Sequence, residues 1–472
     1  MDAPRDLAGQ YDPEHFRALG HHVIDTLADA LAQAAAGNGP VLPQRDPEAM
    51  CAAWPAPDGN SAFPALLDKL LGDSIHLHDP GYIGHQVSAP LPLATLCDLV
   101  SSYLNNGMAI YEMGPAATAI EQAVIRWMAE RLDFPAGAGG VLTSGGSLGN
   151  LTALLAARNA AEARGVLRPV FLVSDQAHYS VARALRIMGM PNEAVVTIPS
   201  DAQFRLSPDA LCHGIGGVHA AGRTPVAVVA CACTTATGTY DPIADIADVC
   251  NTHGLWLHVD AAHGAGAVLC PAYRHLAAGI ERAASVVWDA HKMLLMPALV
   301  TGVVFRRCID SYLPFEEEAA YLYEREAHEE WYNIGHRTLE CTKVMAGLKV
   351  YAALACCGEA LFSEHIGACY GKARTFARMI AEAPHFELAQ QPEANIVCFR
   401  YAPPGAAPDT LQPDIRKRIL HDGRFYIVQT TLPRGVFLRT TVINPATTTD
   451  HLAALLAAIR DAGNAIIADD SP

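Results

Sequence analysis

The chain has 472 residues, of which 51% are apolar and only 17% charged. A length of that kind exceeds one simple core and predicts two or three domains. The net charge of −16 argues against a nucleic-acid partner, and no polybasic tract points to an anionic membrane.

The N-terminus, MDAPRDLAGQYDPEHF, has acidic residues and no apolar core segment, so it does not read as a signal peptide. No apolar stretch reads as long enough to span a bilayer. Thirteen cysteines, an odd number in a long chain, fit reduced thiols and a cytoplasmic location better than a disulfide framework. Cys231/Cys233 and Cys356/Cys357 have apolar flanks and read as buried small hydrophobes rather than metal pairs.

Residues 13–36 carry Phe16, Leu19, Val23, Leu27 and Leu31 at helical spacing, with Gly37 at the end. This stripe must dock on the body of the chain or on a second subunit. The stretch 39–58 is rich in proline and reads as a linker or arm.

From Val141 onward short β-rich runs alternate with helical ones. Strands are expected at 170–174, 194–198, 226–231, 255–259, 285–288 and 300–305. Alanine-rich helices are expected at 151–163, 178–188 and 243–252. Alternation with apolar strands predicts a mainly parallel α/β sheet covered on both faces. A helical stretch is expected around 338–354. Strands at 395–401 and 436–439 and a final helix over 451–462, ended by Gly463, then read as a smaller α+β domain. Thr447 and Asp450 resemble a capping box for that last helix.

In such sheets ligands bind beyond the carboxyl ends of the strands. His178, Asp260 and the pair His291–Lys292 all fall at such ends. Lys292 follows the apolar run SVVWDAHK, where a lone ammonium is hard to explain as packing. A lysine in that setting is a nucleophilic amine of the kind that forms Schiff bases with carbonyls and with pyridoxal phosphate. Asp260, in WLHVDAAHGAG, needs a cationic partner, and the protonated ring nitrogen of pyridoxal phosphate would supply one. Ala262 lies on the same face and is small enough for a planar ring to approach. VLTSGGSLGN sets a Gly/Ser turn before a helix, an anion cradle in which a phosphate monoester is the best guest. Neither the Walker nor the dinucleotide pattern is present. A rival reading takes His258, Asp260 and His263 as ligands of zinc or iron in a metal-dependent hydrolase. It leaves Lys292 and the cradle without a role.

Together these segments, from about His76 to Asp450, resemble the group II pyridoxal-phosphate-dependent amino-acid decarboxylases. That family acts on glutamate, cysteine sulfinate, aromatic amino acids and diaminobutyrate. The resemblance implies a fold-type I architecture. A helical arm over residues 1–75, a large cofactor-binding α/β domain over 76–355 and a small α+β domain over 356–472 would compose it. It also implies a homodimer with active sites at the subunit interface.

Carried over by position, Lys292 would be the Schiff-base lysine and His291 a phosphate neighbour. Asp260 would bind the pyridine nitrogen, His178 would stack on one ring face, and Ala262 would contact the other. Gly146 and Ser147 would hold the phosphate, with Thr235 near the cofactor. Arg439, in VFLRTTVINPATT, would bind a substrate carboxylate. Gln86 and Ser88, in GYIGHQVSAP, match polar pocket positions of the glutamate and cysteine-sulfinate branch. His85, Pro90 and Gly107 depart from the glutamate pattern, and Asp289 stands where the aromatic branch carries asparagine. A mobile loop around 313–334 would supply a protonating tyrosine, with Tyr323 preferred over Tyr321 and Tyr332. The expected reaction is decarboxylation of a small polar or acidic L-amino acid. Aromatic substrates, an aldehyde-lyase and an oxidative deaminase use the same constellation.

Overall fold

The computed structural model describes residues 6–315 and 331–469. It comprises two compact units, one of Met1–His85, Arg374–Ala389 and Val397–Pro472, the other of Gln86–Ala373 and Gln390–Ile396.

The larger unit is built on seven strands: β1 (Gly139–Thr143), β2 (Pro169–Ser174), β3 (Val195–Ile198), β4 (Thr224–Cys231), β5 (Trp256–Asp260), β6 (Ser285–Asp289) and β7 (Thr301–Phe305). Their order is β1-β7-β6-β5-β4-β2-β3. Strands β2 to β6 pair in parallel, as the alternating pattern predicts. β7 instead runs antiparallel to both β6 and β1. The reason is chain length: residues 290–300 are too few for the crossover that a parallel return requires.

β4 is buried from Pro225 to Cys231, and β6 and β7 are buried throughout, which accounts for the Val/Ala run of β4 and the paired valines of β6 and β7. Each fully buried valine or leucine contributes about 1.5–3 kcal/mol relative to exposure. β5 departs from the apolar expectation on one face. Leu257 and Val259 point one way, while period-2 alternation turns Trp256, His258 and Asp260 the other.

The Gly146–Glu162 helix lies across that sheet at close range. A Cβ on Gly149 would meet Val287, Val303 and Thr301 at 3.1–3.3 Å, so a larger residue there would need those side chains to give way. Asn150, the next residue, is buried as a result. Further along, helix begins at Gly347 rather than near residue 338 and runs to Cys357. The preceding segment is tied down instead by Lys343, whose ammonium donates to Glu121 Oε1 and the Leu142 carbonyl, both at 2.6 Å.

The smaller unit holds the sheet of β8 (Phe386–Leu388), β9 (Ile396–Tyr401), β10 (Val428–Leu432) and β11 (Gly435–Thr441), in the order β10-β11-β9-β8. Its last helix, Thr449–Asp469, continues past Gly463. That glycine is a contact point, not a stop: a Cβ there would lie 2.6 Å from the Tyr401 ring. The capping residue is also shifted by one, since Thr448 Oγ1 accepts from the His451 amide at 3.3 Å. This helix does reach the length and apolarity of a membrane span, contrary to the sequence reading. Its Leu452, Leu455, Leu456 and Ile459 are nevertheless buried within the unit.

The Pro13–Ala35 helix forms as expected. Asp12 accepts the amides of Glu14 and His15, Pro13 occupies the first turn, and Gly37 follows at φ +66°. Of its residues only Ala34 is buried; Phe16 is 58% exposed and Leu27 37%.

Candidate active site

At the carboxyl ends of β2, β4, β5 and β6 the larger unit encloses a cavity of about 370 Å³. Gly146, Ser147, His178, Thr235, Asp260, Ala262, His291 and Lys292 all line it. These residues span 147 positions of sequence, and the parallel sheet brings them to one edge.

The cradle opens at Gly145, whose φ of +118° suits glycine alone. The helix that follows has 17 residues and no side chain capping its N-terminus. Its first free amides, at Gly146 and Ser147, therefore face the cavity with the positive end of the helix dipole behind them.

Lys292 is not the lone ammonium that the sequence suggests. Its Nζ lies 3.2 Å from Asp289 Oδ2, and His291 Nε2 lies 3.5 Å from the same oxygen. The Thr301 hydroxyl donates to Asp289 Oδ1 at 2.6 Å. Asp289 ends β6 and Thr301 opens the antiparallel β7, so the hairpin itself sets the counter-charge beside the amine.

Asp260 is buried and accepts from Asn150 Nδ2 at 2.9 Å and from the Ala262 amide at 3.2 Å. Both donors are neutral, and no salt bridge to it occurs among the described residues. His178 caps the Tyr179–Ile187 helix through Nδ1, which also lies 2.7 Å from Ser180 Oγ. Burial lowers its pKa below the usual imidazole value, with the Asp260 charge opposing. Burial raises the thiols of Cys231 and Cys233, the latter to about 12, which disfavours their thiolate forms.

The metal reading fails on geometry. His258 has Nδ1 2.9 Å from Ser285 Oγ and Nε2 3.0 Å from Asn150 Oδ1, while His263 Nε2 lies 2.7 Å from Asn395 Oδ1. Burial pushes His258 down to about 4, consistent with a neutral ring held by neutral partners. No group of three potential ligands occurs among the described residues.

Other expected residues stand apart from the cavity lining. The Ser88 hydroxyl donates to the His291 carbonyl at 3.3 Å, just behind the wall. Gln86 does not line the cavity, and its Nε2 is buried without a hydrogen-bond partner among the described residues. Arg439 lies on β11 in the smaller unit, buried, opposite Val428. Tyr321 and Tyr323 fall outside the described residues. Tyr332 packs its ring edge-on against Tyr111 at 5.5 Å. Sequence reasoning missed Asn150 and Ser180, which connect the site's polar groups.

These residues fit pyridoxal phosphate. An uncapped helix N-terminus suits a phosphate, a buried carboxylate with neutral partners suits a cationic ring nitrogen, and a primary amine stands in the same cavity. Residues 74–402 match the model of the pyridoxal-dependent decarboxylase conserved domain. The chain belongs to the pyridoxal-dependent decarboxylase family. It is a pyridoxal-phosphate-dependent carboxy-lyase of amino acids, as are its relatives. An aromatic-L-amino-acid decarboxylase of Bacillus atrophaeus is 29% identical over 96% of each chain. An L-2,4-diaminobutyrate decarboxylase of Rhizobium meliloti is 32% identical over 81% of this chain and 76% of its own length. The crystal structure of mouse CSAD superposes with a TM-score of 0.89 at 25% identity, covering 96% of this decarboxylase and 99% of that chain.

Proposed function

We propose that the enzyme converts a small polar or acidic L-amino acid to the corresponding amine, taking up one proton and releasing carbon dioxide. The observation that carries the reading is the convergence of Lys292, Asp260, His178 and the Gly146–Ser147 helix opening on one cavity. Pyridoxal phosphate, when bound, supplies a ring that takes up the electron pair left at Cα as the carboxylate departs.

The chain's residues divide the remaining work. The Gly146 and Ser147 amides would hold the phosphate, with His291 as its neighbour. Asp260 would accept the ring N–H, and its negative charge would keep that nitrogen protonated. His178 and Ala262 would contact the ring, with Thr235 near it in the same cavity lining. Lys292 supplies the amine that anchors the cofactor and then a proton carrier at Nζ. Tyr323 is assigned the proton returned to Cα. Arg439 is assigned a substrate carboxylate, on the strength of its sequence motif.

The polar substrate class rests on the likeness of Gln86 and Ser88 to polar pocket positions of the glutamate and cysteine-sulfinate branch. The test is a panel of L-amino acids assayed with the loaded enzyme, products identified by mass. Amines from aspartate, glutamate, cysteine sulfinate or diaminobutyrate support the reading. Preference for aromatic substrates, or release of aldehyde and ammonia, would reject it.

We also propose a cytoplasmic homodimer with its active sites at the subunit interface. The exposed stripe of the Pro13–Ala35 helix supports this, as do Leu99 and Tyr103, 53% and 74% exposed on the Pro92–Leu104 helix. Light scattering of wild type and Phe16→Glu tests it, with a monomeric wild type counting against it.

A further inference from the structure

One amide side chain connects the residue proposed for the cofactor's ring nitrogen with the one proposed for a face of its ring. Asn150 Nδ2 lies 2.9 Å from Asp260 Oδ2 and 2.9 Å from Ser180 Oγ. Asn150 Oδ1 lies 3.0 Å from His258 Nε2. Beyond His258, Nδ1 is 2.9 Å from Ser285 Oγ, which also accepts from Trp256 Nε1 at 2.9 Å. On the other branch Ser180 Oγ is 2.7 Å from His178 Nδ1. Asn150, Ser180, His258 and Ser285 are each at most 2% exposed, so water does not compete.

The direction of every bond in this network follows from its members. A carboxylate only accepts, so the NH₂ end of Asn150 faces Asp260 and Oδ1 faces His258. His258 therefore carries its proton on Nε2, and its Nδ1 accepts the Ser285 hydroxyl proton. The Trp256 indole, a donor only, fills the remaining position at Ser285. The second Asn150 N–H donates to Ser180, whose own proton is then free to point at His178 Nδ1. That places the His178 proton on Nε2. A chain of donors thus runs from Trp256 to the Asp260 carboxylate without a reversal, in surroundings of low dielectric where such bonds are strengthened.

We propose that Asn150, oriented by His258, is the positioning residue that aims the Asp260 carboxylate at the cofactor's ring nitrogen and, through Ser180, supports the His178 tautomer that the Ser180 amide already sets. This rests on the cofactor placement proposed above. With Asn150 on Oδ2 and the Ala262 amide on Oδ1, the carboxylate cannot rotate away from the cavity. Two neutral donors leave its charge unneutralised and available to a cation. Sequence spacing agrees: Asn150 is four residues after Gly146, one helical turn below the phosphate cradle, and Gly149 brings it within reach of the sheet.

The experiment compares two cofactors. Pyridoxal phosphate has the ring nitrogen; its deaza analogue has a C–H there and is otherwise the same shape. Dissociation constants for both are measured on apo wild type, Asn150→Asp and His258→Leu. Asn150→Asp keeps the shape but replaces the donor by an acceptor facing Asp260. His258→Leu keeps the core apolar and leaves the amide free to flip. Wild type is expected to prefer pyridoxal phosphate, and Asn150→Asp to lose about tenfold or more of that preference, the scale of a hydrogen bond to a charged group. His258→Leu should lose a smaller part, and deaza-analogue binding should stay near wild type in any folded variant. The visible absorbance of bound cofactor, titrated against pH, should shift in the same variants. If both variants keep the wild-type preference and titration, Asn150 has no such role. If wild type itself binds the two cofactors equally and borohydride does not fix the cofactor to Lys292, the cofactor placement falls and takes this inference with it.

Discussion

Lys292 Nζ stands 3.2 Å from Asp289 Oδ2, three residues back at the end of β6. The pair explains how an amine tolerates a mostly buried cavity: a carboxylate, itself anchored by the Thr301 hydroxyl, offsets the cost of desolvation. It also holds the amine at the cavity wall rather than in solvent.

Lys292→Ala should abolish turnover. Borohydride treatment followed by peptide mass mapping should find the cofactor on Lys292 in wild type and nowhere in the variant. Thr301 still bonds Asp289, so the fold should persist, and circular dichroism checks that. Near-normal rates in the variant would remove the assigned role.

Much of this site is legible because its residues sit in short local segments. WLHVDAAHGAG and SVVWDAHK each carry a strand and the polar residue at its end, and a parallel sheet guarantees that those ends share an edge. Asn150 was not legible. It lies in an alanine-rich helix, and its partner Asp260 is 110 residues away. Nothing local distinguishes it from a solvated asparagine. The same holds for Lys343 and Glu121, 222 residues apart. Gly463 misled for a different reason. A glycine near a helix end has the composition of a stop signal, and only the packed Tyr401 ring shows that it is there for close approach.

The Lys343–Glu121 pair gives a stability prediction. Both side chains are buried, and Glu121 Oε1 also accepts the Leu142 amide at 3.0 Å. Burial lowers the Lys343 pKa, with Glu121 opposing. Lys343→Met leaves a carboxylate buried without its cation, which should cost about 3–5 kcal/mol. Adding Glu121→Leu should recover part of that loss, because replacing both charges removes the desolvation penalty while the Leu142 amide and carbonyl lose these partners. Urea midpoints of wild type and the two variants measure this. Full stability in Lys343→Met would show that the pair contributes nothing.

Arg439 is predicted to act through its charge and fork geometry. It is buried on β11, and burial lowers its pKa. Arg439→Lys keeps a cation but loses the two parallel N–H donors that match a carboxylate. KM should rise about tenfold or more, the scale of a charge-assisted hydrogen bond, with a smaller change in kcat. Steady-state kinetics with the preferred substrate from the amino-acid panel reads this split. An unchanged KM would place the substrate carboxylate elsewhere.

Acid should destabilise the enzyme through its buried histidines. His365 is pushed down to about 4, chiefly by burial and further by Lys372, and its ring lies 3.6 Å from Cys369 Sγ. The unfolded chain takes up a proton at about 6.5 that the folded chain refuses until about 4. Protonation in that window therefore favours unfolding: the contribution is complete above pH 6.5 and is lost as pH falls toward 4. Linkage sets the loss at about 3 kcal/mol for this one site. His258 shifts in the same direction and adds to it. Denaturant midpoints of wild type should fall steeply between pH 7 and pH 4.5. His365→Gln, which cannot titrate, should fall less over the same range, and the difference between the two curves isolates this residue. Parallel curves would mean that His365 protonates in the folded state without penalty.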